Sequence, residues 1–235
     1  MANKTLNIYA PHLQKETTIM LMFEPPISDR LFKDQFPVVW KIATFRAGGH
    51  AKATIQYHER LAFGYAQIDQ DNLVEPDAWV EVKNDDHGRI SRGAGAKRFG
   101  DASERNDPKL LTCKNSSSDP ANMSIGFVKG DGVYQQFQPV FVWTGVGAGS
   151  DVTTEFIPKL TAYVTRDYKG APIKFILNMS HLKVPSVVTE MVHSKVETDA
   201  IWTCNLHELD DVTSWNLIED NTSGDISIRQ ESHMF

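Results

Sequence analysis

The stretch FRAGGHAKATIQYHERLAFGYAQ, residues 45–67, places side chains suited to chemistry on one face of an extended chain. His50, Lys52, Thr54, Gln56 and His58 alternate with Ala51, Ala53, Ile55 and Tyr57, and successive strand residues point to opposite faces. Imidazole, hydroxyl and amide groups in such a row can hold a ligand by hydrogen bonds. The second half sets Leu61, Phe63 and Tyr65 against Ala62, Gly64 and Ala66. A hairpin turning on His58-Glu59-Arg60 pairs Tyr57 with Leu61, Ile55 with Phe63 and Ala53 with Tyr65, which sends one apolar set to the core. Gln56 then faces Ala62, Thr54 faces Gly64 and Lys52 faces Ala66, leaving a shallow floor. Three readings compete for that floor: a solvated outer face, a face closely covered by another sheet or subunit, and a ligand floor.

Other chemistry-bearing residues are scattered. His50 and His58 stand near opposite ends of a strand rising about 3.3 Å per residue, so a straight strand cannot bring both to one metal ion. Cys204-x-x-His207 with Glu208 offers ligand types, but alternation turns Cys204 and His207 to opposite faces, which favours a buried structural thiol. Asn84-Asp85-Asp86-His87 suits a hard cation or a solvated turn. A metal-dependent oxidoreductase would gather ligands from His50, His58, His87, His181, His193 or His207. GVGAGSD, Gly145–Asp151, imitates a dinucleotide fingerprint, yet a strand-like segment follows where a helix should supply the amide cradle. Cys113, beside Lys114 in a polar stretch, is a candidate reactive thiol. Along YQQFQPVFVWTG, Phe137, Phe141 and Trp143 share a parity and could line a cavity closed by Gln135, Gln136 or Gln138.

The elements that must position these residues are strands. Period-two stretches rich in Val, Ile, Thr and aromatics include Thr17–Phe23, Val38–Phe45, His50–Tyr57, Leu61–Ile68, Met123–Val128, Val133–Gln138, Ile173–Asn178, Lys183–Glu190 and Ala200–Leu206. Only Asp29–Gln35 and Glu208–Val212 suggest single helical turns. This pattern predicts an all-β chain, an antiparallel β-sandwich of Greek-key or jelly-roll-like type, as one domain over 1–235. Residues 84–122 are polar and rich in Gly, Ser and Asn, and read as a long surface loop anchored by Leu110 and Leu111.

A net charge of −6 argues against nucleic-acid or anionic-membrane partners, and no apolar run approaches the length of a membrane span. Cys113 and Cys204 are expected to be reduced thiols in a cytoplasmic protein.

The all-β, cysteine-poor character, with TIMLMFEPPISDRLFKDQFPVVWKIATFRAGGH at residues 18–50, resembles cytosolic mushroom proteins, above all the pink chromoproteins of oyster mushrooms. The resemblance implies a fungal β-sandwich that holds a small conjugated indolone-type chromophore without a covalent bond. A bound divalent metal ion and a homodimer are further implications. No binding position is carried over from it. From the residues themselves the expected task is binding a small aromatic ligand, with His50, Thr54, Gln56, Trp143, His193 and Trp202 as ligand-binding candidates and no catalytic set. A carbohydrate-binding lectin or defence protein and the metal-dependent oxidoreductase stand as alternatives.

Overall fold

β-branched and aromatic residues at alternate positions favour extended chain, and the protein is all-β. The computed structural model describes residues 3–24, 35–69, 74–82, 103–104, 110–165 and 199–231. The first strands are β1 (Asn3–Pro11), β2 (Thr17–Phe23), β3 (Gln35–Pro37), β4 (Lys41–Phe45), β5 (His50–His58), β6 (Leu61–Ile68), β7 (Val74–Glu81) and β8 (Ser103–Glu104). They are followed by β9 (Leu110–Lys114), β10 (Ala121–Lys129), β11 (Gln136–Val146), β12 (Asp151–Glu155), β13 (Lys159–Thr165), β14 (Trp202–Asn205), β15 (Val212–Glu219) and β16 (Ile226–Gln230). Among the described residues the helical segments are two 3-10 turns, Gly132–Tyr134 and Leu206–Glu208. No helix there is long and apolar enough to cross a membrane.

The strands form four sheets, ordered β16-β15-β1-β5, β3-β11-β10-β6-β7, β12-β9-β8 and β14-β13-β2-β4. Pairing is antiparallel except where β1 runs parallel to β15, with Thr5 opposite Val212 and Tyr9 opposite Asn216. That pair is the one exception in sheets that are otherwise antiparallel among the described residues, as the sequence led one to expect. One buried cluster draws on all four sheets, from Leu6 and Ile8 of β1 to Leu160 and Val164 of β13, Phe63 of β6 and Cys113 of β9.

The expected β5–β6 hairpin does not form. β5 pairs with β1, Ile55 opposite Leu6, while β6 lies between β7 and β10, with Phe63 opposite Val80 and Ile125. A hairpin would leave the small residues of β6 in solvent. Instead Phe63 and Tyr65 enter the main core, while Ala62 packs with Val128 and Phe137, and Ala66 with Val38, Val74 and Val142. Both faces of β6 are thereby buried, and the apolar area removed from water outweighs a local hairpin. Arg60 holds the corner between the sheets: its guanidinium grips Glu81 at 2.9 and 3.0 Å and also donates to the Gly130 carbonyl at 2.8 Å.

Thr17–Phe23 and Leu61–Ile68 form strands as expected. Within the span Val38–Phe45 the strand is β4, Lys41–Phe45, since β3 ends at Pro37, and Val133–Gln138 begins as a 3-10 turn. The turn expected at Glu208–Val212 falls earlier, at Leu206–Glu208. β1 was not foreseen, although Leu6, Ile8 and Ala10 alternate into the core. The polar span 84–122 contains β9, whose Leu111 and Cys113 are buried, so it is not one long loop. The stretches Ile173–Asn178 and Lys183–Glu190 lie outside the described residues, as does Asp29–Gln35 apart from Gln35.

Candidate functional site

β4 and β5 are edge strands of different sheets, and they run beside each other. Between them lies an open depression of about 190 Å³, lined by Lys41 and Ile42 of β4, Thr54, Ile55 and Gln56 of β5, and Lys129 at the end of β10. Thr54 Oγ1 donates to Asn7 Oδ1 at 3.0 Å, so its lone pairs stay open to a donor. Lys41 Nζ donates to Gln138 Oε1 at 2.9 Å and sits 5.3 Å from the centroid of the Trp40 ring. Burial, aided by the charge of Lys129, lowers the Lys41 ammonium to about 8.

Chain neighbours tie this depression to an aromatic cluster in the core. Lys41 follows Trp40, Ile55 stands two residues before Tyr57, and Lys129 stands two residues after Phe127. Trp40, Tyr57, Phe23, Phe127 and Phe156 meet edge-on or tilted, with centroids 5.0 Å apart for Phe23–Trp40 and 5.1 Å for Tyr57–Phe127. Such tilted contacts suit the ring quadrupoles. Trp40 is 4% exposed and Tyr57 0%. Their Trp40 Nε1 and Tyr57 Oη atoms are buried without a hydrogen-bond partner among the described residues, although the two rings lie 6.4 Å apart. Burial, and then the charge of Glu59, push the Tyr57 phenol well above its ordinary range, so it stays a neutral donor.

Of the six expected ligand-binding residues, the structure brings only Thr54 and Gln56 together. His50 is exposed at the start of β5, its ring edge-on to His12 at 5.2 Å. Trp143 is buried in the core beside Phe63, and Trp202 packs edge-on against Trp215 at 4.9 Å. His193 lies outside the described residues. Lys41, Lys129, Trp40 and Tyr57 were not foreseen as site residues. The one available signal was a single charge inside the apolar run VVWKIA, residues 38–43.

The aromatic parity in β11 fails for a local reason. A register shift between Ile125 and Gly126 inserts an extra residue in β11 and reverses its faces. Phe141 and Trp143 face the main core, whereas Phe137 turns away to Val128 and Trp79.

No group of three or more His, Cys, Asp or Glu among the described residues could hold a metal ion, and His87, His181 and His193 lie outside them. His58 meets Asn3 at 3.0 Å, and His207 meets Glu59 at 2.8 Å. Both cysteines are free thiols. Burial pushes Cys113 and Cys204 up to about 12, with Asp151 and Glu208 adding to it, so the reactive-thiol reading of Cys113 does not hold. GVGAGSD is the connection from β11 to β12. The Asn115 backbone accepts from Gly149 N–H and donates to Ser150 O, both at 2.8 Å.

No family model, no curated protein and no solved structure matches this chain.

Proposed function

We propose that the protein binds a small aromatic molecule, with binding rather than turnover as its task. One observation carries this reading: Trp40 Nε1 and Tyr57 Oη are unpartnered donors within a cluster of five rings, adjoining a depression open to solvent. A buried donor left unsatisfied costs about 1–3 kcal/mol. A guest carrying an acceptor would recover that cost at both atoms, while its flat face takes the place of ring–ring contacts. Lys41, Thr54 and Gln56 would meet its solvent-facing substituents. A conjugated carbonyl pigment of the kind held by the pink chromoproteins has the required flat face and acceptor.

The test is the absorption spectrum of protein purified from its natural source, with Tyr57→Phe and Trp40→Phe variants compared alongside. A visible band that vanishes on unfolding and weakens in both variants supports the reading. A colourless natural preparation whose tryptophan emission is unchanged by planar carbonyl ligands overturns it.

A further inference from the structure

We propose that Lys41 is a carbonyl-reactive amine, and that the depression between β4 and β5 seats a small aldehyde bearing an anionic substituent, which condenses with Lys41 Nζ to a reversible imine. This goes beyond the aromatic-guest reading: it shares Lys41, Thr54 and Gln56 with that reading but does not need the unpartnered Trp40 and Tyr57 donors of the ring cluster.

The geometry separates Lys41 from an ordinary surface lysine. Gln138 Oε1 holds its Nζ at 2.9 Å, and the Trp40 ring underlies it at 5.3 Å, so the nitrogen has a fixed place. Lys129 brings a second cation to the same depression, and Thr54 and Gln56 add a hydroxyl and an amide. Among the described residues these groups, from β4, β5, β10 and β11, face Lys41, and no acidic side chain there lines the depression. A desolvated amine near another cation is the arrangement that frees a lysine lone pair at neutral pH. Near neutral pH a far larger share of Lys41 side chains is therefore neutral than of exposed lysines.

The chemistry balances without a further reactant. The Nζ lone pair attacks the carbonyl carbon, forming C–N as the C=O π pair moves to oxygen. A proton passes from nitrogen to that oxygen, giving a carbinolamine. A proton from solvent joins the carbinolamine hydroxyl, which leaves as water when the C–O bond breaks and the nitrogen lone pair forms C=N. The resulting iminium returns its N–H proton to solvent to give the neutral imine. Amine plus aldehyde gives imine plus water. Lys129 matches an anionic substituent on the aldehyde, and Gln56 can hydrogen-bond the departing hydroxyl.

The probe is pyridoxal phosphate at substoichiometric concentration, trapped with borohydride and located by peptide mapping. Lys41 is expected to carry about tenfold more label than the exposed Lys15, Lys52 and Lys114, with a labelling rate that rises through a midpoint near pH 8. Pyridoxal without phosphate should label Lys41 more slowly. Lys129→Gln, an exposed change outside the core, should cut Lys41 labelling at pH 7.5 several-fold and move the midpoint upward. Lys41→Arg should abolish the selective label, and if that variant does not fold, the wild-type map and Lys129→Gln still decide. Label spread evenly over exposed lysines, or a midpoint unmoved in Lys129→Gln, overturns the proposal.

Discussion

Asn115 shows how one side chain can organise a distant loop. It is 0% exposed, and its Nδ2 donates to Val146 O at 2.9 Å and to Gly147 O and Asp119 O at 3.2 Å. Its Oδ1 accepts from Tyr65 Oη at 2.9 Å and from Ser117 Oγ at 2.6 Å. Asn115→Ala removes these hydrogen bonds, the one to Tyr65 buried and the others part-buried, so a loss of about 1–3 kcal/mol is expected, read as a lower denaturant midpoint. Tyr57→Phe should do the reverse. It removes a buried hydroxyl that has no partner, so the unliganded protein should gain up to about 1 kcal/mol in the same titration. In sequence, Asn115 falls in the polar span 84–122, which reads as a surface loop. Nothing local announces its burial, because Tyr65 and Val146 reach it only through the fold. Thr54 and Gln56 were legible, since strand alternation alone sets their face. Lys41 was not, because its partners Gln138 and Lys129 come from other strands.

At the scale of elements, close approach decides what β6 and β10 tolerate. A Cβ at Gly126 would lie 2.0 Å from the Gln138 carbonyl oxygen, where the β10–β11 register shifts. A Cβ at Gly64 would lie 2.5 Å from the Phe137 ring, a side chain, with the Ala78 carbonyl oxygen next at 3.1 Å. Gly64→Ala should therefore cost about 1–3 kcal/mol, as overpacked cores do, and Gly126→Ala clearly more, because backbone must move. Thermal melts of the two variants check that order. Strand existence was readable where apolar and β-branched residues run together, as in β2, or large and small residues alternate, as in β6, but the alternation of β1 was missed. Pairing was not, since the period of β5 and β6 fits a hairpin as well as a crossing between sheets. The choice turned on Ala62 and Ala66, whose second face is covered by Val128, Phe137, Val38 and Val142.

For the whole molecule, titration of buried groups shapes stability. Cys113 and Cys204, at about 12, and the buried phenols of Tyr57, Tyr65 and Tyr163 all titrate higher in the folded state, chiefly through burial. Their contribution is fully present below the ordinary thiol value of 9.0 and is lost as pH climbs past it. Lys41 acts oppositely: its charge opposes folding below about pH 8, and that opposition fades toward 10.5. As far as these groups set it, the denaturation midpoint should rise slightly from about pH 8 to about 9 and fall above that, and Lys41→Met should flatten the rise.

The parallel pairing of β1 with β15 has a kinetic corollary. Lys4 and Asp211, which meet at 3.1 Å beside that pair, are 207 positions apart. On a ribosome the first strand would emerge long before its neighbour exists, leaving one hydrogen-bonding edge bare while most of the chain is synthesised. Folding slower than that of locally paired strands is expected from that wiring, and a circular permutant that brings the two strands close in sequence should refold faster.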